Sequence, residues 1–143
     1  MQDTIAKEIT VKASAQRVYE AITDPTQIIK WFPDAVEGDL AAGQKATFTF
    51  EGHGKSSIYT IAATPFNYFA YRWIPGGAVA VDDVLKESNT LVEFFIEERD
   101  GKTNVTVKES GFALLPVEMA EKAFAQNSGG WDYMLERLEK FAS

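Results

Sequence analysis

The C-terminal part of the chain carries the pattern that most restricts its fold. At ~100° per residue, nine side chains after residue 119 fall within about 60° of one line along a helix. They are Ala120, Ala123, Phe124, Asn127, Trp131, Met134, Leu135, Leu138 and Phe141. Small side chains occupy the N-terminal end of this face, and large ones occupy the C-terminal end. The pattern predicts a long helix that lies over a sheet and leaves an internal space.

The N-terminal third of the chain predicts one strand and two short helices. Residues 4 to 12 alternate as a half-buried strand does. Ser14 then predicts the cap of a helix that stops at Thr23-Asp24, before a proline. A second short helix is predicted through Ile28, Ile29 and Trp31, and Pro33 ends it. The α-helical content before the C-terminal helix is therefore small.

Residues 36 to 112 predict strands alone, with glycines and prolines as turn signals. The Asp100-Gly101 pair is the strongest hairpin signal in this region. A long irregular stretch, Ile74 to Asn89, interrupts the strands, and loops of this length are often functional. The whole pattern predicts an α+β fold in which a curved antiparallel sheet of about seven strands grips the C-terminal helix. We expect residues 1–143 to form one domain, with a mobile lid at the irregular stretch.

Alternation within the strands predicts which side chains face the helix. Phe48, Phe50 and Trp73 share inward positions in their strands. In the last hairpin, Phe94 and Ile96 face inward, and Glu109 shares the parity of the neighbouring inward valines. The faces of residues 58 to 63 cannot be assigned, because apolar residues occupy both parities.

Composition excludes several classes of function. The net charge of −7 does not favour nucleic acid or anionic membrane surfaces. The chain has no Cys and a single His, His53, so a zinc or iron site is not expected, and neither is a cofactor. No run of residues has the length and hydrophobicity of a membrane span or a signal peptide. We expect a cytoplasmic protein that binds no nucleic acid and does not insert into membranes.

Several segments in order resemble one known family. They are Val18–Ile22, Trp31-Phe32, Tyr71–Trp73, Thr90–Phe94, Glu109–Phe112 and Gly130-Trp131, with Leu135 and Leu138 following. The chain resembles the START-like or Bet v 1-like superfamily, in the branch named after the activator of the heat-shock protein 90 ATPase. The resemblance implies a helix-grip fold with a hydrophobic pocket for lipids, sterols, hormones or polyketides, or a surface for partner proteins. It implies no universal catalytic residue.

Our first hypothesis is a non-catalytic domain that binds a small apolar or aromatic molecule between the sheet and the C-terminal helix. The candidate ligand-binding residues are Trp31, Phe48, Phe50, Trp73, Phe94, Ile96, Glu109, Phe124, Asn127, Trp131 and Met134. A second hypothesis is a cyclase or dehydratase in which Glu109, His53 or Tyr59 moves a proton. A third is a protein-partner role, with a chaperone whose ATPase the domain stimulates or with a second copy in a homodimer. The third hypothesis predicts an exposed apolar patch.

The polar candidates also have structural interpretations. A strand-end Glu usually reaches solvent, so we expect Glu109 to be exposed more often than buried. Asn127 is expected to satisfy a backbone group at a bulge, or to hold a buried water, more often than to bind a ligand. His53, between two glycines, is expected in an exposed turn. The Gly129-Gly130 pair predicts either a kink in the helix or a close approach to the sheet.

Overall fold

A computed structural model of the chain describes residues 2–143. Seven strands and three α-helices follow one another as β1 (Thr4–Val11), α1 (Ala15–Thr23), α2 (Pro25–Ile28), β2 (Ala35–Gly38), β3 (Lys45–Phe50), β4 (Gly54–Thr64), β5 (Tyr68–Trp73), β6 (Thr90–Arg99), β7 (Lys102–Ser110) and α3 (Val117–Ala142). The strands form one antiparallel sheet in the order β1-β7-β6-β5-β4-β3-β2. The predicted α+β helix-grip fold is confirmed. No helix among the described residues is long and apolar enough to cross a membrane.

The chain leaves β1 through two capped helices. The Ser14 side chain accepts a hydrogen bond from the Arg17 backbone N–H at 3.1 Å, which satisfies one free donor of α1. Asp24 ends α1 and caps α2 by accepting from the Thr26 N–H at 2.8 Å. The prediction for α2 was wrong at its end, because α2 stops at Ile28. Trp31 lies beyond the helix, where its indole Nε1 donates to the Ala21 carbonyl oxygen at 2.8 Å and holds the turn against α1.

The hairpin of β6 and β7 turns at the predicted pair. Asp100 and Gly101 both have positive φ angles, 52° and 77°, as the two-residue turn requires. The pairing that follows places Val92 opposite Glu109. Glu109 therefore occupies an inward position close to the other end of the hairpin.

A β-bulge explains why the faces of β4 could not be read from the sequence. Ser56, Ile58 and Thr60 are buried in regular alternation, and the register then shifts between Thr60 and Ala62. A bulge adds one residue to one strand, so that residues of the other parity face inward beyond it. The two parities of this segment therefore carry similar apolar residues.

Helix α3 buries the predicted face against the sheet. Its most deeply buried side chains are Ala120, Ala123, Trp131, Leu135, Leu138 and Ala142. Gly129 and Gly130 lie within the continuous helix, and a Cβ added at either position would meet no atom within 4 Å. The close-approach interpretation of this pair was therefore wrong. The missing side chains leave open space beside the middle of α3.

Candidate functional site

A cavity of about 260 Å³ lies between the sheet, α3 and the segment that follows β5. Its lining residues are Phe32, Phe50, His53, Ser56, Trp73, Ile74, Pro75, Gly76, Gly77, Ala78, Gln126, Asn127, Gly130, Trp131 and Met134. Aromatic rings and Met134 form the inner surface. Backbone of residues 74–78 and the exposed His53 and Gln126 form the rim. The space predicted beneath α3 is present in the structure.

Five of the predicted binding residues line this cavity: Phe50, Trp73, Asn127, Trp131 and Met134. The other six do not. Trp31, Phe48, Phe94 and Ile96 are buried in the core behind the lining. Phe124 packs its ring against Phe112, with 5.1 Å between centroids. Glu109 lies behind the lining as well. The uneven bulk along α3 indicated a space but not which strand positions reach it.

Phe32 is a lining residue that the strand patterns did not indicate. Its ring centroid lies 5.4 Å from that of Trp131, 5.9 Å from that of Trp73 and 5.6 Å from that of Phe50. It also stacks on Trp31 at 5.2 Å. Because Phe32 follows α2 in a turn, no periodicity marked it. The available signal was its place in the Trp31-Phe32 pair.

Glu109 is fully buried, so the expectation of a solvent-exposed side chain was wrong. Its Oε2 accepts from the Thr90 hydroxyl at 2.6 Å and from the Trp73 indole Nε1 at 2.9 Å. Its Oε1 accepts from the Trp131 Nε1 at 2.8 Å. The Asn127 amide Nδ2 lies 3.0 Å from each of the two oxygens. Indole and amide N–H groups only donate, so the ionised carboxylate, which only accepts, matches its surroundings.

This arrangement accounts for Asn127 on the apolar face of α3. We expected Asn127 to satisfy a backbone group or a water, and it donates instead to a side-chain carboxylate. Four side chains from β5, β6 and α3 converge on Glu109 of β7. Burial of a carboxylate is tolerated where its oxygens are fully hydrogen-bonded. The network therefore fixes α3 to the sheet at the inner surface of the cavity.

Tyr71 lies beside this network with an unpaired hydroxyl. The side chain is fully buried, and its oxygen has no hydrogen-bond partner among the described residues. Burial, and secondly the negative charge of Glu109, raises the pKa of Tyr71 well above 10.0. The neutral phenol is the form that this environment accepts.

The segment that follows β5 packs against α3 and β4 at the cavity rim. A Cβ at Gly76 would lie 2.8 Å from the Cβ of Ala123, and the φ of Gly76 is 85°. Only glycine fits this approach without strain. Farther along, the Ser57 hydroxyl donates to the Val81 carbonyl at 2.9 Å, and the Ser57 backbone N–H donates to the Val79 carbonyl. The segment is thus hydrogen-bonded to β4, and its role as a mobile lid stays a prediction.

The three proton-transfer candidates are not brought together. Tyr59 lies on the other face of β4, in a separate pocket with Lys45 and Asp82. Glu109 has its oxygens occupied, and His53 lies at the exposed rim, as predicted. Of the three, only His53 lines the cavity.

An antiparallel sheet gripping a long helix over an apolar cavity defines a helix-grip domain. The chain belongs to the family described as Activator of Hsp90 ATPase homolog 1-like protein, whose model matches residues 12–143. The resemblance noted from the sequence is thereby confirmed. None of the curated proteins matches the chain significantly.

Solved structures share the fold at low sequence identity. Protein MLL2253 from Mesorhizobium loti is 20% identical, with a TM-score of 0.79 over 96% of this chain and 95% of that one. The Aha1 dimer from Colwellia psychrerythraea is 21% identical, with a TM-score of 0.76 over 99% and 96%. DynU16, a putative protein in the dynemicin biosynthetic locus, is 21% identical with a TM-score of 0.80 over 99% of this chain. The chain spans 47% of the length of DynU16.

Proposed function

We propose that this domain binds a small apolar or aromatic molecule in the cavity between the sheet and α3, without catalysing a reaction on it. The observation that carries the proposal is the aromatic lining around a space of about 260 Å³. An apolar cavity of roughly 150 Å³ holds one benzene ring. The volume therefore suits a molecule of one or two rings, and the rim at residues 74–78 gives it a route of entry.

Binding in such a cavity gains most of its free energy from desolvation. Phe32, Phe50, Trp73, Trp131 and Met134 offer apolar surface, and burial contributes about 25 cal/mol per Å² of apolar area removed from water. Polar groups at one end then decide the orientation of the ligand. Asn127, at the inner surface, is the first such group.

The hydrogen bonds of Glu109 favour binding over proton transfer. A general base needs a free lone pair within reach of the substrate. Both oxygens of Glu109 already accept from side chains, and its carboxylate does not line the cavity. His53 lines the rim but is exposed, and no described residue forms a side-chain hydrogen bond that orients its ring. These observations support a binding domain rather than a cyclase or dehydratase.

A protein-partner role stays a prediction. Leu114 precedes α3 and Val117 is its first residue, and they have 88% and 85% of their surface exposed. A partner could cover apolar surface of this kind. The solved relative from Colwellia psychrerythraea is described as a dimer. Sedimentation of the purified protein over a range of concentrations would test a homodimer here, and a Hsp90-type ATPase assay would test the chaperone role. Cytoplasmic location is likewise proposed from the sequence alone.

The binding proposal is tested by closing the cavity from α3. Gly130 lines the cavity and Gly129 does not, and a side chain fits at either position without meeting an atom within 4 Å of its Cβ. Gly130→Leu should place a branched side chain at the cavity, and Gly129→Leu should have the same effect on helix propensity outside it. We expect ethylbenzene to shift the amide resonances of the cavity residues in the unmodified chain and in Gly129→Leu.

The expected loss in Gly130→Leu is at least tenfold in affinity, because the side chain occupies the ligand's volume. Equal binding to the two variants would place the ligand elsewhere and contradict the proposal. Absence of binding by the unmodified chain to a panel of one- and two-ring compounds would contradict it too.

A further inference from the structure

The inner surface of the cavity holds two indole N–H donors that are already hydrogen-bonded to Glu109. The indole Nε1 atoms of Trp73 and Trp131 donate to Glu109 at 2.9 and 2.8 Å. The Asn127 Nδ2 is directed to the same carboxylate at 3.0 Å. All three residues line the cavity, and each directs one N–H to Glu109. The two indoles therefore offer a ligand no free N–H, whereas Asn127 retains the second N–H of its amide, because one N–H is shared between the two carboxylate oxygens.

Asn127 also presents an acceptor. Because the carboxylate of Glu109 only accepts, it fixes the amide with the nitrogen inward. The Asn127 Oδ1 accepts from no described residue, and it is not among the buried oxygens that lack a partner. It therefore has accessible surface, on a residue that lines the cavity. Neutral hydrogen-bond donors such as O–H and N–H groups suit this oxygen.

The site carries a negative charge, which favours a cationic ligand. Glu109 is bonded to four neutral side chains, and none of the ion pairs among residues 2–143 includes it. Its negative charge is thus neutralised by no Lys or Arg at contact distance. The interaction of a buried charge with a nearby ligand is screened less than one at the surface. An anionic ligand would experience repulsion here.

The aromatic lining adds to this preference. The ring centroids of Phe32, Trp73 and Trp131 lie 5.4 to 6.0 Å from one another. The faces of aromatic rings carry negative potential and attract ammonium groups, with Trp the strongest of the side chains. An apolar frame with one ammonium group would thus meet rings, an acceptor oxygen and a negative charge in one cavity.

We propose that the preferred ligand is a small aromatic amine that binds as its ammonium ion. This inference rests on the proposed binding function and specifies its ligand class. The aromatic part packs on Phe32, Phe50 and Met134, and the ammonium group donates to the Asn127 Oδ1 near the faces of the two indoles. Carboxylates of the same frame bind more weakly than the amine.

The test compares four compounds with one aryl frame on the unmodified chain, so that no variant needs to fold. They are 2-phenylethylamine, which is cationic at pH 7, 2-phenylethanol, 3-phenylpropanoate and ethylbenzene. Affinities are read from the indole N–H resonances of Trp73 and Trp131. The Trp31 indole, which donates to the Ala21 carbonyl away from the cavity, is the internal control. We expect the amine to bind about tenfold or more tightly than the carboxylate, with the alcohol between them.

The outcomes separate this inference from the function on which it rests. A carboxylate that binds as tightly as the amine overturns the ligand class, and so does an amine no tighter than ethylbenzene. If ethylbenzene binds in either case and Gly130→Leu abolishes its binding, the cavity function stands and only the cation preference fails. If none of the four compounds binds, both proposals fail.

Discussion

Replacing Glu109 by Gln keeps the shape of the side chain but exchanges one acceptor oxygen for an NH₂ donor. If the NH₂ takes the position of Oε1, the Trp131 indole loses its acceptor, while Asn127 still donates to the other oxygen. If it takes the position of Oε2, the Trp73 indole loses its acceptor, while the Thr90 hydroxyl can accept from the new NH₂. Each buried donor without a partner costs about 1–3 kcal/mol. One unpaired indole donor in either arrangement predicts a loss of roughly 1–3 kcal/mol from the free energy of unfolding. Since domains of this size have about 5–15 kcal/mol in total, the loss is a large share.

Urea unfolding followed by tryptophan fluorescence measures this loss directly, because Trp73 and Trp131 are two of the three tryptophans. Glu97→Gln is the matched control. Glu97 lies on β6 with 61% of its side chain exposed and pairs with Arg99, so its replacement should change stability by less than about 0.5 kcal/mol. A loss below about 1 kcal/mol for Glu109→Gln would refute the network as the link between α3 and the sheet.

Two further substitutions test the packing around the cavity. Tyr71→Phe removes a buried hydroxyl without a partner, so it should raise the free energy of unfolding by about 1 kcal/mol at pH 7. The control Tyr133→Phe, at an exposed position, should leave it unchanged. If Tyr71→Phe instead lowers the free energy of unfolding by about 1 kcal/mol, the hydroxyl is hydrogen-bonded. Because the pKa of Tyr71 is raised in the folded state, the unfolded chain releases this proton first above pH 10, and stability falls as pH rises. Between pH 9 and 11, the urea midpoint of Tyr71→Phe should therefore fall less than that of the unmodified chain. Gly76→Ala should destabilise the domain by about 1–3 kcal/mol more than Gly43→Ala, because both glycines have a φ near 80° but only Gly76 contacts α3. Equal thermal unfolding midpoints for the two variants would contradict this packing.

Local sequence patterns were sufficient to predict the order of the helices and strands. Ser14 and the proline after Asp24 fixed the ends of α1, and Asp100-Gly101 fixed the last hairpin, because each acts through neighbouring residues. Faces followed from alternation wherever a strand was regular. The inward and outward faces of β4 could not be assigned, because the bulge between Thr60 and Ala62 changes the parity without a sequence signal.

The candidate site was less predictable because long-range contacts build it. Parity placed Glu109 on the inward face, but the general tendency of Glu to reach water led to the wrong interpretation. Its burial depends on Trp73 and Trp131, which lie 36 and 22 residues away in the sequence and donate to it from β5 and α3. Alternation cannot indicate such pairing. In the same way, Phe48 and Phe94 share the inward parity of the cavity residues but are covered by Phe32 and Trp131.

The central claim is that the cavity holds a small molecule, and native mass spectrometry of protein purified from its own host tests it most directly. The account predicts an added mass of a one- or two-ring compound on the unmodified chain and on Gly129→Leu, released on denaturation and absent from Gly130→Leu. Identification of the released compound also gives its charge. A chain that carries no added mass and shows no thermal shift with one- and two-ring compounds would contradict the account, and so would the same adduct on Gly130→Leu.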